Sequence, residues 1–297
     1  LYEWEKRMDI LDYLPQKIKT EAALYMRQGL EEIRVRAGQP TQYIMRAGYK
    51  KGRVLSIEDV KEMLNYLSDY SLYAMKEQLK CGFFTVEGGH RIGITAVGSV
   101  LDISSLNIRI AHQIKGCSDV IMPYIRNNGR IYNTIIVSRP GAGKTTCLRD
   151  CIRELSSGNE KYKSLKVAVV DERSEIAACY RGVPQNDLGP SCDVMDNCKK
   201  VVGMRMLLRS MSPDVIAVDE LGAEEDFMAL SDILKCGINI IGTIHGSEIA
   251  DVKNKKIPAG IERIIFIEKD KNGRRQFYVY DKDYRCIGGN DRGCGTA

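Results

Sequence analysis

The most specific chemistry in this sequence lies in one short run: Pro140, Gly141, Ala142, Gly143, Lys144, Thr145 and Thr146. Gly141 and Gly143 lack a Cβ, so the backbone there can wrap closely around an anion and turn its N–H groups inward. A helix opening at Lys144 would add the positive end of its dipole. The lysine can then reach the β- and γ-phosphates of ATP, and the Thr145 hydroxyl can ligate the Mg²⁺ that neutralises such a polyanion. The phosphate-loop pattern GxxxxGK[ST] starts with glycine, whereas this chain has Ser138 followed by Arg139. The phosphate-contacting half is intact, so the expectation is weaker or slower nucleotide binding rather than its loss.

Acidic residues complete that chemistry. Asp219 and Glu220 end the apolar run 215–218, at what would be the carboxyl edge of a strand, where ligands of α/β folds bind. Asp219 is the natural holder of the Mg²⁺ water shell, and Glu220 sits where a general base could orient water towards the γ-phosphate. The bland alternative is an acidic strand end that caps the next helix. Asp219–Gly222 also spells DxxG, a GTPase element, but NKxD, the partner motif that reads guanine, is missing, so adenine is preferred. A second acidic edge, Asp171, Glu172, Arg173, Ser174, Glu175, follows another apolar run. Glu172 or Glu175 could share the water-activating or metal-organising work, unless Arg173 and Glu175 simply pair at the surface. The run 240–246 ends in Thr243 and His245, a polar tip that could feel the γ-phosphate. His90 and His112 suggest no partners.

These side chains need a scaffold. Apolar, β-branched runs at 131–137, 166–170, 215–218 and 238–243 predict buried parallel strands, and helices are expected over 144–155, 199–210 and 224–234. Segments 263–268 and 276–281 flank Asn272 and Gly273, a hairpin signal. Before them, 57–67 has helical spacing, while 82–86 and 91–97 alternate around Gly88 and Gly89. The cluster Asn127, Asn128, Gly129 reads as a linker. The expected architecture is therefore α/β: a RecA-like P-loop NTPase core over 129–297, with a parallel-dominated sheet flanked by helices, preceded by a smaller α+β domain over 1–128.

Composition narrows the function classes. Apolar runs are too short to cross a bilayer, and the charged first residues predict no secretory signal. Ten cysteines without a CxxC pair read as reduced, small apolar residues rather than a zinc site or a disulfide framework. The net charge of +5 is mild and its basic pairs are scattered, and aromatic content of 7% with one Trp disfavours base-stacking platforms, so nucleic acid is not an expected partner. Two rivals to an ATPase stay open: a RecA-like nucleic-acid-binding ATPase, and a nucleotide-gated scaffold that scarcely hydrolyses, motivated by Ser138.

The runs VVDERSEI (169–176), GVPQ (182–185), MRMLLRSMSPDVIAVDELG (204–222) and GTIHG (242–246), with the upstream GFFTVEGGHRIGITA and LNIRIAH, closely resemble the stage III sporulation protein AA family. The resemblance spans nearly the whole chain. It implies a cytoplasmic ATPase related to those of type II and type IV secretion, using ATP and Mg²⁺. It also implies a homo-oligomeric ring, such as a hexamer, beside the membrane-channel subunits of a sporulation complex. In those relatives an acidic box, an acidic strand and a His box correspond to Asp171–Glu175, Asp219–Glu220 and His245. A ring would also explain why no arginine finger sits near the loop. Arg109, in the stretch that resembles the family's interdomain strand, is the first candidate to complete a site, ahead of Arg91 and Arg173.

Overall fold

The computed structural model describes residues 10–70, 79, 82–96 and 103–289. The chain forms two compact units: Leu1–His112 joined by Ala178–Asn186, and Gln113–Ala177 joined by Asp187–Ala297.

The first unit is built on an antiparallel sheet. Its strands are β1 (Leu30–Arg36), β2 (Pro40–Met45), β3 (Gly48–Val54), β4 (Phe83–Thr85), β5 (Arg91–Ala96) and β6 (Ile103–Arg109), in the order β3-β2-β1-β6-β5-β4. The helix expected from spacing is Ile57–Leu67. Ser56 accepts the Asp59 N–H while Asp59 accepts the Ser56 N–H, closing a capping box, and Val60, Met63, Leu64 and Leu67 are buried along one face. They share a core with Ile33, Phe84, Ile92 and Ile108 from the sheet. β4 and β5 pair as the hairpin that the paired glycines suggested; position 97 lies outside the described residues. Segment Ala178–Asn186 packs with this unit: Gln185 Oε1 accepts the Gly88 N–H at 2.8 Å, and Arg181 pairs with Asp69 at 2.8 Å. A Cβ on Gly89 would fall 3.2 Å from the Cβ atoms of both Ala178 and Gln185, so only glycine lets this segment lie so close.

The second unit is an eight-stranded sheet. In chain order beyond a short ribbon of β7 (Arg126–Asn127) and β8 (Arg130–Ile131), it holds β9 (Thr134–Ser138), β10 (Val167–Asp171), β11 (Cys192–Asp196), β12 (Val215–Leu221), β13 (Asn239–His245), β14 (Arg263–Lys269), β15 (Arg275–Asp281) and β16 (Cys286–Gly289). Their spatial order is β11-β10-β12-β13-β9-β14-β15-β16, parallel from β11 to β14 and antiparallel at β15 and β16. β9 and β10 are buried along their whole length, as continuous β-branched runs demand of a doubly covered sheet. Helices Lys144–Ser157, Lys200–Ser210 and Glu224–Lys235 fall where spacing placed them.

Three details differ from the sequence reading. Asn128 and Gly129 are not a linker: both have positive φ (49° and 77°) and form the tight turn of the β7–β8 ribbon. Residues 113–128, expected in the first domain, belong to the second unit. The Asp150 carboxylate on helix Lys144–Ser157 accepts the Ser118 N–H and hydroxyl, each at 2.8 Å, and Cys117 Sγ lies 3.6 Å from the Thr146 carbonyl. Burial pushes the Asp150 carboxyl up, but the donors from Ser118 and Arg153 outweigh it and hold the group below the usual range. Among the described residues Cys117, Cys147, Cys151, Cys179, Cys192, Cys198 and Cys236 are outside any disulfide, whereas Cys286, expected to be reduced, is disulfide-bonded.

Candidate active site

The phosphate loop leaves β9 at Ser138 and enters its helix at Gly143. Gly141 and Gly143 take φ of 75° and 99°, left-handed values that glycine reaches without strain. Ser138 needs no such freedom. It ends a strand with no positive φ, is 2% exposed, and turns its hydroxyl onto the Arg139 carbonyl at 2.9 Å. The backbone ground for expecting weak binding is therefore absent at this position.

Sheet order brings the other groups to the loop. β13 lies between β9 and β12, and its His245 stands in register with Ser138. Lys144, 5% exposed, holds its Nζ 3.3 Å from His245 Nδ1. On β12 the ladder to β13 breaks between Val218 and Leu221, so Asp219 and Glu220 sit in a bulge, and Glu220 adopts φ of 53°. Bulges re-aim side chains, and a left-handed non-glycine residue persists only where its surroundings hold it.

Those surroundings are specific. Thr145 Oγ1 donates to Asp219 Oδ2 at 2.6 Å, and the buried Thr243 hydroxyl donates to Asp219 Oδ1. The Glu220 N–H donates to Thr243 Oγ1 at 2.8 Å and to Asp219 Oδ1 at 3.0 Å. Both carboxylate oxygens of Glu220 are engaged: Oε1 lies 3.2 Å from His245 Nε2, and Arg173 Nη1 lies 2.6 Å from Oε2. Lys144, Thr145, Asp219, Glu220 and His245 thus form one connected group, with Pro140 and Ala142 lining the pocket beside the loop. Among the described residues no three His, Cys, Asp or Glu side chains are placed to cage a metal. Thr145 and Asp219 instead offer two hard oxygens 2.6 Å apart, a donor set that suits Mg²⁺, which keeps most of its waters and takes phosphate oxygens.

The acidic box behaves differently from the sequence reading. Asp171, 1% exposed, accepts the N–H groups of Glu175, Ile176 and Ala177 at 2.9, 2.9 and 2.8 Å. Burial pushes its carboxyl up to about 6. Arg149, on the phosphate-loop helix, donates to the carbonyls of Glu175 and Ile176. Asp171 is therefore the clamp of a loop, and Glu175 contributes its backbone to it. Glu172 pairs with Lys200 rather than joining Glu220. Arg173, ranked low from sequence, is the arginine that reaches Glu220. Arg109 belongs to the first unit, on β6, with its Nε 3.8 Å from Glu32 Oε2. His90 Nδ1 accepts the Ala111 N–H at 3.1 Å, and a ring nitrogen of His112 lies 2.9 Å from the Leu30 carbonyl, so both bind backbone inside the first unit.

Sequence reasoning also passed over Lys269 and Arg275. The Asn272–Gly273 hairpin signal marked their strands, but not their approach to the loop. Lys269 Nζ donates to the Gly141 carbonyl at 2.6 Å, and Arg275 lies against Gly143.

The sequence profile described as Sporulation stage III, protein AA matches residues 4–286. The chain belongs to that family. Stage III sporulation protein AA of Bacillus subtilis (strain 168) is 36% identical over 293 residues, covering 93% of this chain and 95% of that protein. The pilus retraction motor PilT, solved with bound ADP, superposes on this family member with a TM-score of 0.64 at 17% identity, over 89% of this chain and 82% of PilT. The Legionella pneumophila ATPase DotB gives 0.63 at 17% identity, over 91% and 82%. At such identities the likeness speaks to fold, and the fold of the family member is the α/β P-loop architecture that those two proteins share.

Proposed function

We propose that this chain binds ATP with Mg²⁺ and hydrolyses it to ADP and phosphate, as the motor subunit of a sporulation channel complex. The observation that carries the reading is the unbroken run of contacts from loop to strand tips: Thr145 to Asp219, Thr243 to both Asp219 and the Glu220 backbone, and Glu220 to the His245 that faces Lys144. Lys144 turns from His245 to the outer phosphates. Thr145 and Asp219 would hold Mg²⁺, which when bound would supply charge neutralisation for the polyphosphate. Glu220, steadied by His245 and Arg173, orients a water and takes its proton as the oxygen attacks the γ-phosphorus. The bond from that phosphorus to the bridging oxygen breaks, and ADP leaves with its electron pair.

Family membership and the fold support the wider reading: a homo-oligomeric ring on the cytoplasmic side, working against membrane-channel subunits. DotB is described as an ATPase, and PilT as a motor with ADP bound. Among the described residues no helix is long and apolar enough to cross a membrane, which accords with a peripheral position. In a ring, the exposed Arg109 is the candidate to complete a neighbour's site.

The test is phosphate release by the full chain with Mg²⁺ and ATP. Glu220→Gln is expected to abolish release and keep nucleotide binding, and Lys144→Ala to lose both. Failure of the wild type to bind ATP or ADP by calorimetry ends the reading; binding with release unaltered by Glu220→Gln makes the chain a nucleotide-gated scaffold. Turnover of GTP at the rate of ATP would overturn the adenine preference. A monomer by sedimentation in every nucleotide state would count against the ring.

A further inference from the structure

The hairpin of β14 and β15 carries a feature that the hydrolytic machinery does not use. Lys269 and Arg275 are direct cross-strand partners at its end, two cations opposed where like charges repel. Both reach the phosphate loop. Lys269 Nζ donates to the Gly141 carbonyl at 2.6 Å, and a Cβ on Gly143 would fall 2.5 Å from Arg275 Nη2 and 2.9 Å from its Cζ. The Arg275 guanidinium thus lies at the helix N-terminus, whose dipole end is positive. It is close enough for its charge to be felt at the Cys117 and Cys147 thiols on the flank of the first turn. Among the described residues no carboxylate pairs with it. Lys269 and Arg275, opposed across the strands, repel one another until an anion arrives.

Sheet order says which part of a nucleotide that anion is. The groups for the γ-phosphate stand on β12 and β13, on one side of β9, while Lys269 and Arg275 come from β14 and β15 on the other. Beside the loop an open pocket of about 450 Å³, walled by Phe266, Ile267, Glu268 and Lys269 of β14 and reaching Gly246 and Ser247 past the end of β13, has room for a base and sugar. Resting on the nucleotide reading above, we propose that Arg275, assisted by Lys269, grips the α-phosphate of the nucleotide from within the same subunit and seats the nucleoside in this pocket.

The experiment is calorimetric titration of the full chain, with Mg²⁺, using ADP and inorganic pyrophosphate as separate probes. For Arg275→Gln, ADP affinity is expected to fall about tenfold or more, with pyrophosphate affinity held within about twofold, since pyrophosphate lacks the α-position and its nucleoside. Arg275→Lys keeps the charge without the planar fork and should lie between. The ligand-free melting temperature of Arg275→Gln should equal or exceed that of the wild type, because a repulsion is removed. Unchanged ADP affinity in Arg275→Gln and Arg275→Lys would overturn the proposal, as would equal weakening of both probes. Wild-type protein that binds neither probe would instead remove the nucleotide reading itself.

Discussion

Replacing Thr243 by Val keeps the shape of a fully buried side chain and deletes one hydroxyl. That hydroxyl donates to the Asp219 carboxylate and accepts the Glu220 N–H at 2.8 Å. A bond to a charged acceptor contributes about 1.5–3 kcal/mol and a neutral one about 1 kcal/mol. Asp219 keeps its donors from Thr145 and from the Glu220 N–H, so neither partner is fully orphaned and the expected loss is about 2–3 kcal/mol. Urea unfolding of the full chain, followed by circular dichroism, should show a lower midpoint with the slope unchanged. Glu220 would also lose one of the two acceptors that hold its left-handed backbone. Phosphate release should then fall about 10–100-fold, the usual effect of removing a group that orients a reacting side chain. ADP affinity should stay within about threefold, because the bonds of the Thr243 side chain are to Asp219 and Glu220 rather than to the loop. Thr243→Ser, which restores the hydroxyl, should recover most of both losses. A Thr243→Val protein within about 0.5 kcal/mol of wild type, with unaltered turnover, would refute the claim that this hydroxyl sets the geometry of the strand tip.

Other changes probe the loop and its neighbours. Ser138→Gly should leave ATP affinity unchanged and cost about 0.5–1 kcal/mol in stability, since the position is a strand end with ordinary φ; calorimetry and a melting curve would check both. Gly143→Ala should cost about 1–2 kcal/mol for its left-handed backbone and displace Arg275, and ADP binding should fall with it in the same titration. Asp171 has a folded-state pKa of about 6 against the ordinary 3.8. The folded chain therefore holds the extra proton between pH about 4 and 6, and the group's contribution to stability is lost as pH rises through that window, by roughly 3 kcal/mol in all. Urea midpoints measured across that range should fall with pH in wild type and fall less steeply in Asp171→Asn.

Much of the fold was legible because its signals are local. A buried parallel strand must be β-branched and apolar along its whole length, and β9, β10, β12 and β13 announce themselves in that way. β11 did not, since Cys192–Asp196 alternates acids with apolar residues at the sheet edge and resembles loop. The phosphate loop was equally readable, because one contiguous run carries its glycines, lysine and hydroxyl. The two-unit division was only partly so: Asn128–Gly129 looks like a linker from composition, and only the anchoring of Ser118 on Asp150 shows that the preceding residues pack with the second unit.

By itself the sequence determined that a phosphate-binding loop exists, that acids and a histidine end the apolar runs, and which family motifs they belong to. The tertiary structure decided which of those groups meet. β13 lies between β9 and β12, so His245 and Thr243 bridge the loop to Asp219 and Glu220. A bulge turns Glu220 towards His245 and Arg173, while Glu172 is drawn to Lys200 and Asp171 to three backbone N–H groups. Periodicity records which face of its own strand a residue occupies; it holds nothing about which strand lies alongside. For that reason Lys144 could be read from its neighbours in sequence, and Arg275 only from its neighbours in space.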